Sequence, residues 1–201
     1  WQVIRLCGPD NLLSKRQMLL LASEGISALT MDNVAKKAGL SKGACTYHFK
    51  SKRELQTALL ENYVHHLDEQ LNKHEELFEG EPSDTLLSGY IQWFRSFNLD
   101  NHGWAAVGTS LLSEYCKDEE LMKPVKEWYQ KLFERIEQAP KEKQTALLIG
   151  IMALEGFFLY SQIRVDLVSP KMKREAWNFM VTSLMPSKVK TKRVRQNNLK
   201  L

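Results

Sequence analysis

The chain has 201 residues, 43% of them hydrophobic and 26% charged, which excludes fibrous and wholly disordered proteins and allows one large or two small domains with a real core. The net charge of +4 conceals a division: residues 1–53 hold nine Lys or Arg against three acids, residues 187–201 hold six against none, and residues 54–186 are left at −8. Cations gathered at one end of an otherwise acidic chain fit either a polyanion partner or a plain solvated basic surface.

In chain order, the opening residues lack the basic start, apolar centre and small-residue cleavage site of a secretory signal. A first helix is expected at 10–23, with Leu12, Leu13, Leu20 and Leu21 on its apolar side and Gly25 beyond its end. Thr30 can cap a short helix at 31–38, Gly39 ends it, and Ser41 caps another at 42–48. A long helix follows at 52–79, closed by Gly80 and Pro82. Further helices are expected at 83–97, 104–115, 118–137, 141–167 and 170–184, and the basic stretch from Pro186 onward reads as a mobile tail. The alternating runs of strands are missing, so the fold class is all-α. The apolar run at 146–160 is interrupted by Glu155 and two glycines and falls short of the roughly 18 residues that span a bilayer. Cys7, Cys45 and Cys116 are too scattered for a disulfide framework or a zinc ribbon, so a reducing cytoplasm is the expected compartment.

Catalysis finds little support. There is no nucleophile–base pattern and no Gly-rich phosphate loop, and neighbouring His65 and His66 point in different directions on their helix, a poor geometry for one metal. No metal and no cofactor are expected.

The most specific segment is the pair of short helices joined through Gly39, which supplies the left-handed backbone that the turn requires. Val34, Ala35 and Leu40 are spaced to pack beneath the pair, and small Ala38 permits a close approach. The second helix presents Lys42, Gly43, Ala44, Thr46, Tyr47 and His48, and a helix of this kind enters a major groove about 12 Å wide. Thr30 to Gly43, followed by Tyr47-His48-Phe49-Lys50-Ser51-Lys52-Arg53-Glu54-Leu55, resembles the DNA-binding domain of the TetR family of bacterial repressors, over about residues 10–60.

The resemblance implies a three-helix, helix-turn-helix DNA-binding domain at 10–55, a helical effector-binding and dimerisation domain at 56–186, and the basic tail at 187–201. By the same resemblance Thr30, Tyr47, His48 and Lys52 hold the phosphate backbone. Lys42, Ala44, Cys45 and Thr46 are candidates to read base edges, Gly43 lets the backbone come close, and Phe49 is core. From the residues alone, Tyr47 can also be a core aromatic, His48 an ordinary surface histidine and Cys45 a small semi-buried residue.

The second domain is rich in aromatics that serve either as core or as the lining of an effector pocket. The candidate lining is Trp93, Phe97, Trp104, Leu111, Tyr115, Trp128, Glu155 and Phe158. Glu155 lies in an apolar helix, where a carboxylate needs a partner. It either orients a ligand or pairs with Arg164 or Lys131. The helices at 141–167 and 170–184 resemble the family's dimerisation pair. The implied protein is a homodimeric repressor bound to double-stranded operator DNA, released by a small-molecule effector and without a membrane partner. The competing reading is a helical ligand-binding or protein-interaction module that does not bind DNA.

Overall fold

The computed structural model describes residues 30–39, 41–96, 103–162, 168–184 and 190–191. The helix expected at 10–23, Leu40 and most of the basic tail lie outside the described residues. Within them the order is α1 (Met31–Ala38), α2 (Lys42–His48), α3 (Lys52–Glu75), β1 (Phe78–Glu79), α4 (Pro82–Ser96), α5 (Gly103–Tyr115), α6 (Glu119–Glu137), α7 (Lys141–Gln162), α8 (Pro170–Leu184) and β2 (Lys190–Thr191). The described residues are all-α apart from one two-residue antiparallel ladder, in which Phe78 faces Thr191 and Glu79 faces Lys190.

That ladder corrects two expectations. The long helix stops at Glu75 rather than at 79, and Lys190 and Thr191 form a paired strand rather than part of a mobile end. Phe78 is buried while Glu79 is exposed, so the segment alternates as a strand does. Glu79 and Lys190 place opposite charges across the ladder, a favourable pairing.

The chain divides into two compact units, one of Trp1–His66 with Asn101–Tyr129, the other of Leu67–Asp100 with Gln130–Leu201. In the first, Val34, Ala35, Cys45 and Phe49 are buried with Leu55, Leu59 and Leu60 of α3. Further along α3, the Tyr63 ring occupies the space that a Cβ on Gly108 of α5 would fill, with Tyr63 Oη only 2.5 Å from that position. Glycine is what lets these two helices approach so closely.

In the second unit α4 packs against α7. Leu86, Tyr90 and Trp93 of α4 are buried, as are Leu147, Ile151 and Leu154 of α7, which recur at helical spacing on one face. Each such side chain contributes roughly 1.5–3 kcal/mol by leaving water. Two ion pairs fasten the unit: Arg135 to Glu75 at 2.7 Å and Lys143 to Asp84 at 2.6 Å. The Glu75 carboxyl is raised by burial, against the opposing pull of Arg135.

The opposite face of α7 is uncovered. Leu148, Ile149, Met152, Leu159 and Tyr160 are exposed, together with Met172 and Phe179 of α8. By length and mean hydropathy Lys141–Tyr160 reaches the range of a membrane-spanning helix, which the count of uninterrupted apolar residues did not reveal. Its other side nonetheless packs against protein, as the burial of Leu147, Ile151 and Leu154 shows.

Candidate nucleic-acid interface

The helix pair α1–α2 is fixed by its ends. Thr30 is extended, and its Oγ1 accepts from the Asn33 N–H at 3.2 Å. Ser41 repeats the arrangement, with Oγ accepting from the Ala44 N–H at 3.1 Å. Each hydroxyl satisfies a first-turn donor that the helix itself cannot. Between them Gly39 adopts φ 69°, and its N–H returns to the carbonyls of Ala35 and Lys36. The turn is therefore left-handed, where a side chain would collide with backbone.

The inner face of the pair holds Val34, Ala35, Cys45 and Phe49. Val34, Ala35 and Phe49 were expected there. Cys45 is a base-reading candidate by the resemblance and a small semi-buried residue by its own chemistry, and its position corrects the first reading to the second: at 1% exposure the side chain lies on the inner face. Burial, with the Asp32 carboxylate second, pushes the Cys45 thiol up, so it stays protonated.

The outer face of α2 presents Lys42, Gly43, Thr46 and Tyr47, with Ala44 half-buried beside them. Tyr47 is 73% exposed, which rules out the core alternative, and the Lys50 ammonium lies 5.3 Å from its ring centroid. Thr46 Oγ1 donates to the Lys42 carbonyl at 2.9 Å, so its proton is spent on its own helix and its methyl remains for contact. A Cβ on Gly43 would meet nothing nearer than Ser41 Oγ at 3.9 Å. Packing among the described residues therefore gives no reason for glycine at this position. His48 ends α2, and its side chain lies outside the described residues.

Lys52 is exposed at the first position of α3. The helix start beside it is held by a reciprocal cap that the sequence reading missed. Ser51 Oγ accepts from the Glu54 N–H at 3.1 Å, and Glu54 Oε2 accepts from the Lys50 N–H at 2.7 Å. The spacing of Ser51 and Glu54 was the available signal. Also missed was Asp32, whose carboxylate oxygens each lie 3.0 Å from the Lys42 ammonium. Two exposed polar helix termini, one cationic rim and a capped recognition helix make a surface suited to a polyanionic groove.

The residues expected to line an effector pocket fall into two sets. Leu111, Tyr115 and Trp128 are buried in the first unit, and Trp93, Glu155 and Phe158 belong to the second. Phe97 and the Trp104 side chain lie outside the described residues. In the second unit the rings pack on one another: Tyr90 stacks on Phe94 at 5.0 Å between centroids, and Trp93 and Phe158 meet Phe94 edge-on at 5.6 and 5.9 Å. Glu155 accepts a hydrogen bond from the Tyr90 hydroxyl, a partner that reasoning from charge overlooked. In the first unit Tyr115 lines an open cleft of about 540 Å³ whose rim includes Arg53, Gln56, Glu114 and Asp118, a charged rather than an aromatic setting. Among the described residues no group of three His, Cys, Asp or Glu is placed to hold a metal.

Comparison with known proteins agrees with this geometry. Residues 18–59 match the description of bacterial regulatory proteins of the tetR family, and residues 84–182 match the tetracyclin repressor-like C-terminal domain. YerO of Bacillus subtilis (strain 168), an uncharacterized HTH-type transcriptional regulator, is 34% identical over 77 residues; the match spans 38% of this chain and 27% of YerO. A solved transcriptional regulator from Rhodococcus sp. Rha1 superposes with a TM-score of 0.67 at 20% identity, covering 88% of this chain and 96% of its own. The multidrug binding protein EbrR, solved with imidazole, has the same fold with a TM-score of 0.61 at 19% identity, covering 91% and 95%. The chain thus belongs to the TetR family of bacterial transcriptional regulators, with a helix-turn-helix DNA-binding domain and a family-type helical C-terminal domain, a family of regulators and not of enzymes.

Proposed function

We propose that the chain is a cytoplasmic homodimeric repressor that binds a palindromic DNA operator and is released from it by a small-molecule effector. The observation that carries this reading is the outward face of α2: a capped helix with Gly43 open to solvent, Lys42, Thr46 and Tyr47 exposed, and Lys52 alongside. Thr30, Tyr47, His48 and Lys52 serve the phosphates, while Lys42, Ala44 and Thr46 face base edges across the close approach that Gly43 permits.

The uncovered apolar side of α7 and α8 supports dimerisation through residues 141–184. Ile149, Met152 and Tyr160 on α7 and Phe179 on α8 are each more than half exposed. A two-fold axis covers such a face with its own copy. Two recognition helices about 34 Å apart then reach successive major grooves. Substituting Ile149 and Met152 together by Lys is expected to convert a dimer to a monomer in sedimentation and to abolish cooperative occupation of two half-sites.

A ligand releases the operator only by binding better to the conformation with the wrong head separation. EbrR, of similar fold, is described as a multidrug binding protein and has been solved with imidazole and with malachite green. That likeness supports a small organic effector for this chain. The test of the reading is selection of duplex from a random pool by the full chain. Recovery of a palindrome with half-sites one helical turn apart supports it, and recovery of no duplex at low salt rejects it.

A further inference from the structure

The pair made by Lys42 and Asp32 joins the first residue of α2 to the first turn of α1. The Lys42 ammonium sits 3.0 Å from each Asp32 carboxylate oxygen, and the two side chains are 67% and 65% exposed. Exposed pairs of this kind add little to stability, and a carboxylate beside a DNA-facing helix opposes phosphate binding. Its presence on this surface therefore needs another reason.

Two observations locate that reason at Lys42. α2 has no acidic residue in its first turn and begins with a lysine, the wrong sign for a helix N-terminus. Asp32, placed where an acid suits the start of α1, supplies the missing negative charge from ten residues away. A lysine otherwise sweeps a wide volume on four rotatable bonds. In this structure its ammonium lies against both oxygens of Asp32, a weak pairing that biases the side chain toward α1 without fixing it.

We infer that Asp32 is a positioning residue for DNA recognition: it biases Lys42 away from whichever phosphate is nearest and toward base edges that offer acceptors, such as guanine O6 and N7. The inference rests on the DNA-binding reading proposed above. Asp32 in this role lowers general affinity and raises discrimination.

The experiment uses the full chain, its Asp32→Asn and Lys42→Met variants and the double variant. The probes are the duplex that the wild type retains from a random pool and an unrelated duplex of equal length, titrated between about 50 and 200 mM salt. Asp32→Asn is expected to bind the unrelated duplex about threefold tighter, with a salt slope steeper by up to about one, as one more cation becomes free for phosphate. The selected duplex gains less, so the ratio of the two affinities falls about threefold. In the Lys42→Met background the same substitution leaves the ratio unchanged. An unchanged ratio and slope in Asp32→Asn overturns the inference, and so does an equal fall in both backgrounds, which would mean that Asp32 acts without Lys42. Retention of selected duplex by the wild type separates either failure from failure of the DNA-binding reading; a wild type that retains no duplex overturns both.

Discussion

Arg53 grips Asp118 with both terminal nitrogens, at 2.8 and 3.0 Å, across 65 residues of sequence. One turn along α3, Gln56 donates to the Tyr115 hydroxyl at 2.8 Å. With the contact of Tyr63 and Gly108, these links run in order along α3 and in reverse order along α5 and the turn after it. The helix that begins at Lys52 is thereby seamed to its neighbour within one compact unit.

Asp118→Asn tests the charged part of that seam. The Arg53 guanidinium is the main cause holding the Asp118 carboxyl below the usual carboxylate range. A carboxyl lowered on folding stabilises the fold above its unfolded value and loses that contribution as pH falls through the lowered folded value. The pair is exposed, so Asp118→Asn is expected to lower Tm by only about 1–2 °C at pH 7. The difference is expected to vanish near pH 2 and at about 1 M salt. Thermal melts by circular dichroism at several pH values read it directly.

Gly89→Ala is the severe counterpart. A Cβ at Gly89 would lie 2.6 Å from Glu75 Cγ and 2.8 Å from the Glu75 Cα and N. Backbone cannot step aside as a side-chain tip can, so the helices must separate. A loss of about 1–3 kcal/mol is expected in urea unfolding. Gly156→Ala in α7, where no described residue lies within 4 Å of the added carbon, is the control and is expected to be neutral or slightly stabilising.

His66 predicts a pH dependence in the acid range. Burial, with His65 beside it, brings its imidazole down from 6.5 to about 4. The unfolded chain therefore takes up a proton that the folded chain refuses between those values. Stability is full above pH 6.5 and declines as pH falls toward 4. The unscreened limit is about 3 kcal/mol, and less is expected because the ring is only half-buried. A His66→Gln variant is expected to flatten the slope of unfolding free energy against pH over this window; an unchanged slope contradicts the assignment.

What could be read in advance followed from local chemistry. Thr30, Gly39 and Ser41 fix the bounds of α1 and α2 through caps and a left-handed turn, each decided within four residues, and both helices have the expected limits. The features that depend on distant partners were not legible. Phe78 and Glu79 continue an apolar helical pattern, and only pairing with Lys190 and Thr191 turns them into a strand. Cys45 follows Ala44 on a seven-residue helix, too short for periodicity to say which way each side chain turns, and it lies inside. Glu155 needs a partner in its apolar helix, and the Tyr90 hydroxyl of α4, 65 residues away, is one that its own surroundings in sequence do not announce.

Gly43→Leu tests most directly the claim that α2 enters a DNA groove. Among the described residues nothing lies closer than 3.9 Å to the position that a Cβ would take there, and leucine favours a helix over glycine, so Tm is expected to hold or rise. In the proposed reading the added bulk stands where the duplex backbone approaches. Fluorescence anisotropy with the selected duplex is expected to show affinity lowered at least about tenfold in a protein that melts no earlier than the wild type. Wild-type affinity in Gly43→Leu would contradict the account, because α2 would then not be the element that meets the duplex.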